Sequence, residues 1–129
     1  MIRMMTKRAR AVVSVAAVLC GAAALNAQAA GDSYNVISAD WKGNFGFSLG
    51  KSDPEAAIKE AYGRCHATRC HPVLRTHNPC LAIATAHAGK QIAWGVSSAT
   101  DKSTAAGNAL QQCNLQGIAG CALREAACQ

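Results

Sequence analysis

Three of the seven cysteines and three of the four histidines fall between positions 65 and 80, as Cys65, His66, Cys70, His71, His77 and Cys80. Thiols and imidazoles so closely spaced can do several kinds of chemistry. As thiolates and neutral rings they can hold zinc, which takes four such ligands in tetrahedral geometry. Covalent haem attachment also ends in a Cys-His pair, but its motif is C-x-x-C-H. Here the spacing is C-x4-C-H, two residues too long. The only methionines lie at positions 1, 4 and 5, so His77 or His87 would have to serve as the axial ligand. Oxidised, the same cysteines would instead staple the chain. The histidines as a cluster would make a pH-sensitive or chelating patch near neutral pH. Each also fits a plain solvated position: His66 and His71 flank a loop between helix and strand, His77 adjoins the Asn78-Pro79 turn, and His87 ends a hairpin.

Motifs for catalysis are missing. There is no G-x-S-x-G elbow, no H-E-x-x-H and no phosphate-cradling glycine loop. Glu55 and Glu60 lie five apart on one expected helix, a spacing that suits solvated surface better than an acid/base pair. With the cysteines paired, no thiol nucleophile remains.

The compartment decides between thiolate and disulfide. Residues 1–29 read as a secretory signal: Arg3, Lys7, Arg8 and Arg10 precede an apolar run over 11–20, and Ala27-Gln28-Ala29 offers the small-x-small cleavage site. The run is shorter than the ~20 residues of a membrane span. Cys20 lacks the small preceding residue of a lipoprotein signal, since Leu19 stands there. Cleavage after Ala29 removes four of the 13 basic residues and none of the seven acidic ones, lowering the formal charge from +6 to +2. The basic balance thus belongs mostly to the targeting segment, and no nucleic-acid partner is expected. Nor is any membrane span expected after signal cleavage.

What remains, 30–129, is one small domain with six aromatic residues and many alanines. Alanine buries little area, so such a core is thin for its length. Six cysteines in an exported domain of this size are the expected remedy, a disulfide framework.

The elements that carry these cysteines occur twice, over about 34–80 and 81–128. Phe45, Phe47 and Leu49 alternate with Gly and Ser, as do Ile92, Trp94 and Val96 in the second half, and both runs predict strands with one face on a core. An Ala-rich helix follows each. Ile58, Ala61, Tyr62 and Cys65 form one apolar stripe, and Ala106, Ala109, Leu110 and Cys113 repeat it 48 residues later. Ser52 or Asp53 can cap the first helix, with Pro54 at its first position and Glu55 able to complete a capping box, while Asp101 caps the second. Further strands are expected over 34–41, 73–77, 81–86 and 122–127, with 81–86 and 91–97 joined through Ala88-Gly89. The resulting fold class is α+β: two ββαβ repeats related by a pseudo-twofold axis, an antiparallel sheet with both helices packed on it, stabilised by disulfides.

An aromatic-Gly strand, a capped Ala-rich helix ending in Cys, and a strand led by Cys, twice over, together resemble the bacterial exported family called domain of unknown function 4189. The resemblance covers about 34–128. It is carried by Phe45-Gly46-Phe47 and Trp94-Gly95-Val96, by Ala56-Ala57 and Ala105-Ala106, and by the six cysteines. The chain departs from the pattern in having Phe45 where a Trp is looked for, and in the His-rich stretch around Cys70. The resemblance implies a small exported protein and brings no catalytic residues with it.

Six cysteines allow 15 pairings. The repeat maps Cys65, Cys70 and Cys80 onto Cys113, Cys121 and Cys128. The simplest symmetric scheme, and the favoured one, joins Cys65–Cys70, Cys113–Cys121 and Cys80–Cys128. A second symmetric scheme joins Cys65–Cys80 and Cys113–Cys128, and spacing does not choose between them. The functional expectation is a non-catalytic, cofactor-free binding protein, secreted or periplasmic, whose partner is another protein. A secreted effector and an envelope inhibitor both fit, with Trp41, His66, His71 and His77 as the contact surface. The competing expectations are a metal- or haem-binding module built on 65–71 and a small hydrolase.

Overall fold

A computed structural model describes residues 33–129, and the expected signal segment lies outside the described residues. Eight elements follow in order: β1 (Tyr34–Ala39), β2 (Phe45–Lys51), α1 (Pro54–Cys65), β3 (His71–Thr76), β4 (Cys80–Ala88), β5 (Gln91–Ala99), α2 (Lys102–Asn114) and β6 (Ala122–Cys128). All strand pairs are antiparallel. The class is α+β, as the residue pattern predicts.

The strands form two sheets, where a single sheet was expected. Their orders are β2-β1-β3 and β5-β4-β6, the same topology built from each half of the chain. The reason lies in the alternation within the strands. On β1 and β2, Ile37, Ala39 and Phe47 point one way and meet Leu81 and Ile83 of β4. Val36 points the other way and meets Ala57 and Ala61 of α1. On the second sheet Cys80, Ala82, Ala84, Ala86 and Ala93 meet Ala105, Ala109 and Cys113 of α2. Each sheet therefore has two apolar faces, one bulky and one small. The bulky faces bury each other and the small faces take a helix, giving four layers in the order helix, sheet, sheet, helix.

Gly46 and Gly95 explain the small faces. A Cβ at Gly46 would lie 2.5 Å from the Cys65 backbone nitrogen, and one at Gly95 would lie 2.6 Å from that of Cys113. The helices rest on bare strand backbone. Only small residues fit at such a distance, so the buried stripes are Ala57, Ala61, Cys65 and Ala105, Ala109, Cys113. This corrects the expected stripe: Ile58 and Leu110 sit at its flank, and Tyr62 is 46% exposed.

The helix starts follow from capping. Asp53 accepts from the Ala56 N–H at 3.1 Å with Pro54 next in line, so Glu55 is not in register to close a box with Ser52. Asp101 accepts from the Thr104 N–H at 2.8 Å and from its hydroxyl at 2.7 Å. Those bonds, the backbone one foremost, hold its carboxyl below the usual range. Glu60, expected at solvated surface, is instead partly buried and engaged: it pairs with Lys51 of β2 at 2.5 Å and Arg64 at 2.6 Å. Arg64 also donates to the Phe47 carbonyl at 3.0 Å, tying α1 to the sheet beneath it.

Several boundaries differ from expectation, β4 and β5 each running two residues further than expected. β1 stops at Ala39, leaving Trp41 in a turn. β3 begins at His71, because Pro72 is tolerated on an edge strand that needs no N–H there. The hairpin turns one residue later, through Gly89 (φ +61°) and Lys90. Among the described residues no helix is long and apolar enough to cross a membrane.

Candidate binding cleft

Two short loops meet at one end of the first sheet. The 40–44 loop joins β1 to β2 and is closed by its own first residue. Asp40 is 6% exposed. Its Oδ1 accepts from the backbone N–H groups of Lys42 and Asn44, both at 2.9 Å, and its Oδ2 from the Asn44 side-chain amide at 2.7 Å. Burial pushes the Asp40 carboxyl upward, but the bonds from Asn44 and Lys42 outweigh it and leave the group below its ordinary value. The Asp40 N–H also donates to the Asn44 carbonyl at 3.0 Å.

The second loop runs from the end of α1 to β3. His66 ends the helix in the left-handed region, φ +54°, the one described residue other than glycine to do so. Cys65 and Cys70, 6.3 Å apart at Cα, are joined by a disulfide across the loop. The Cys70 N–H donates to the Ala67 carbonyl at 3.4 Å. His71 then enters β3 opposite Ala39, which places the two loops side by side.

Between them lies a cleft of about 420 Å³, lined by Asp40, Trp41, Lys42 and Asn44 from one loop and by Thr68 and Arg69 from the other. Trp41 stands at its edge, 67% exposed. The indole is backed from two sides: Trp94 meets it edge-on and the His71 ring is tilted against it, each with centroids 6.1 Å away. Trp94 reaches across from β5 of the other sheet, so both halves contribute to this end.

Of the expected contact residues, Trp41 and His71 come together here, while His66 caps α1 at the start of the second loop and does not line the cleft. Nor does His77. It lies at the far end of β3, its Nδ1 3.0 Å from the Ser33 carbonyl and its ring 4.8 Å from Tyr34. The residues that sequence reasoning passed over are Lys42, Asn44, Thr68, Arg69 and Trp94. The Asp-x-Lys-Gly-Asn composition of 40–44 does signal a side-chain-closed turn. Its apposition to 67–69 has no local signature.

The corresponding loop of the second half is built otherwise. It is closed by Cys113–Cys121, and Gln116 within it faces the edge of β5. The Trp94 N–H donates to its Oε1 at 3.4 Å, and its amide donates back to the Trp94 carbonyl. That side chain covers part of an open strand edge.

The third disulfide, Cys80–Cys128, joins residues directly opposite in β4 and β6. Cys65 and Cys70 are bonded to each other, so they are not available as thiolate ligands for zinc or for thioether attachment of haem. Among the described residues no group of three or more His, Cys, Asp or Glu is placed to hold a metal ion.

Residues 34–128 match the family described as Domain of unknown function (DUF4189). The chain belongs to this family. No curated protein and no solved structure matches it. For this DUF4189 member the three disulfides point to an oxidising compartment.

Proposed function

We propose that the protein is an exported, non-catalytic binding module, and that its partner is another protein engaged by the end bearing Trp41, His66 and His71. The observation that supports this best is Trp41 itself. A two-thirds-exposed indole, held between two rings beside a cleft with rigid walls, is the kind of aromatic anchor on which interface energy concentrates. The tips of both walls, at Lys42 and Arg69, are exposed. Each is nonetheless fixed, one by the Asp40 carboxylate and the other by a disulfide, which lowers the ordering cost of binding. Cys65, Cys70, Cys80, Cys113, Cys121 and Cys128 are all bonded, so none is available as a nucleophile. Secreted effector and envelope-resident inhibitor are the two roles that fit an exported protein of this kind.

Site-specific photo-crosslinking in the producing cell tests the reading. A benzophenone amino acid at Thr68 or His71 is expected to give a discrete protein adduct, and the same group at His77 or Lys59 is not. Fractionation of the adduct into medium or periplasm then separates effector from inhibitor. Absence of an adduct from Thr68 and His71, or equal adducts from all four positions, would reject the proposed surface.

A further inference from the structure

The charges of the cleft are unevenly committed, and this bears on what the partner presents. Asp40 spends both carboxylate oxygens on its own loop, in three hydrogen bonds. Lys42 and Arg69, one on each wall, take part in neither of the two ion pairs among the described residues, which use Lys51, Arg64 and Glu60. The cleft therefore offers two cations outside those ion pairs, and its one acid is turned inward, near enough to Lys42 for that charge to help hold its carboxyl low. Arg69 adds a planar fork suited to a carboxylate. Beside the cations stands the indole of Trp41, which an apolar group can cover.

We infer that the cleft holds an acidic peptide segment of the partner, with a carboxylate side chain between Lys42 and Arg69 and a neighbouring apolar side chain on Trp41. The inference rests on the binding reading above and names the chemistry that reading leaves open. A carboxylate there makes charge-assisted hydrogen bonds at the mouth of a cleft whose walls are already ordered. Its recognition weakens with salt, because both cations are solvent-exposed. The asymmetry between the halves supports this assignment. Loop 66–69 carries Arg69 at an open cleft, while the longer loop of the second half has no cation and its Gln116 is occupied by the Trp94 backbone.

The test uses the exported, oxidised protein and two probe peptides, acetyl-Leu-Asp-Leu-amide and its Asn counterpart, followed by the tryptophan indole N–H resonances. The Asp peptide is expected to shift the Trp41 signal saturably. The Asn peptide, and the Asp peptide against Arg69→Glu, are each expected to bind at least tenfold more weakly. Lys102→Glu, a reversal at the start of α2, after the end of β5 away from Trp94, should bind as the unaltered protein does. Intact mass showing three disulfides, together with a far-UV circular dichroism spectrum and thermal transition like those of the unaltered protein, confirms that each variant is folded. An equal response to the Asn peptide, an unchanged Arg69→Glu variant, or no saturation at millimolar Asp peptide would overturn the inference. Inorganic phosphate competing as well as the peptide would also overturn it, making the cleft a general anion site. Should the peptide fail while the Thr68 adduct still forms, binding at this end stands and only the acidic chemistry is lost. If the adduct is missing as well, both readings go.

Discussion

Gly95 and Gly107 are expected to respond to one substitution, Gly→Ala, with opposite signs. Gly95 lies in β5 beneath α2, where an added methyl would sit 2.6 Å from the Cys113 nitrogen and closer still to the Ala109 carbonyl. Ordinary contact begins at 3.4 Å, and clearing the nearer atom, the Ala109 carbonyl oxygen, would lift the helix by about 1.3 Å, enough to forfeit at least half of the dispersion attraction across the gap. Both clashing atoms are backbone and cannot rotate away. The interface that opens is the one between Ala82, Ala84, Ala86, Ala93 and the buried stripe of α2. Overpacking costs ~1–3 kcal/mol as a rule, and two simultaneous backbone clashes place Gly95→Ala at about 3 kcal/mol. For a domain of this size that lowers Tm by roughly 12–24 °C. Gly107 lies within α2 with nothing inside 4 Å of its would-be Cβ. There alanine only removes glycine's backbone entropy cost, and Gly107→Ala should stabilise by about 0.5–1 kcal/mol. Urea and thermal unfolding of the oxidised proteins, followed by far-UV circular dichroism, measures both. A Gly95→Ala loss below about 1 kcal/mol would refute the claim that α2 rests directly on a strand glycine, and a destabilising Gly107→Ala would show that this face of α2 is not open.

Three further outcomes are expected. Cys80–Cys128 spans 48 residues and Cys65–Cys70 spans 5, so loop-closure entropy assigns them about 4 and about 2 kcal/mol. Paired Cys→Ala variants should therefore differ in urea midpoint in that order, and the reverse order would count against the entropic account. Ser38 carries a buried hydroxyl without a partner and pairs with Gly46, where the second half has Ala84 opposite Gly95. Ser38→Ala should raise stability by about 1 kcal/mol, since it removes a desolvated polar group at a site that suits alanine, and a fall in urea midpoint would contradict this. Asp40 has a folded-state pKa below its unfolded value near 3.8, so its carboxylate adds stability above that pH and loses the contribution as pH falls through the folded value. The gap between wild type and Asp40→Asn in urea midpoint should be widest at neutral pH and shrink below about pH 4, and a gap constant with pH would show that the ionised loop contributes nothing.

Local information accounts for the elements and their ends. Asp53 with Pro54, and Asp101, mark the helix starts because capping is a contact between residues three apart. The alternation around Phe47 and Val96 marks strands because a strand's faces repeat every two residues. The twofold recurrence of Cys, Ala and Gly places the same strand–strand–helix–strand order in both halves. The cysteine pairing was not legible in this way: spacing left Cys65–Cys70 and Cys65–Cys80 both open, and the folded chain joins Cys65–Cys70 and Cys113–Cys121. Tertiary structure alone decided that the repeats form two sheets, since which of two apolar faces meets a helix and which meets another sheet depends on partners far along the chain. It also turned the helix stripes toward Ala57 and Ala105, as the nearness of Gly46 and Gly95 to a helix backbone is visible only in three dimensions. The cleft belongs wholly to that second kind. Asp40 and Arg69 stand 29 positions apart in the chain, and they meet only because β1 pairs with β3 in the register that sets Ala39 against His71. Trp94 reaches Trp41 only because the two sheets pack face to face. Residue types and spacing named the chemistry available to this protein, while strand register and sheet packing determined which of those groups stand together.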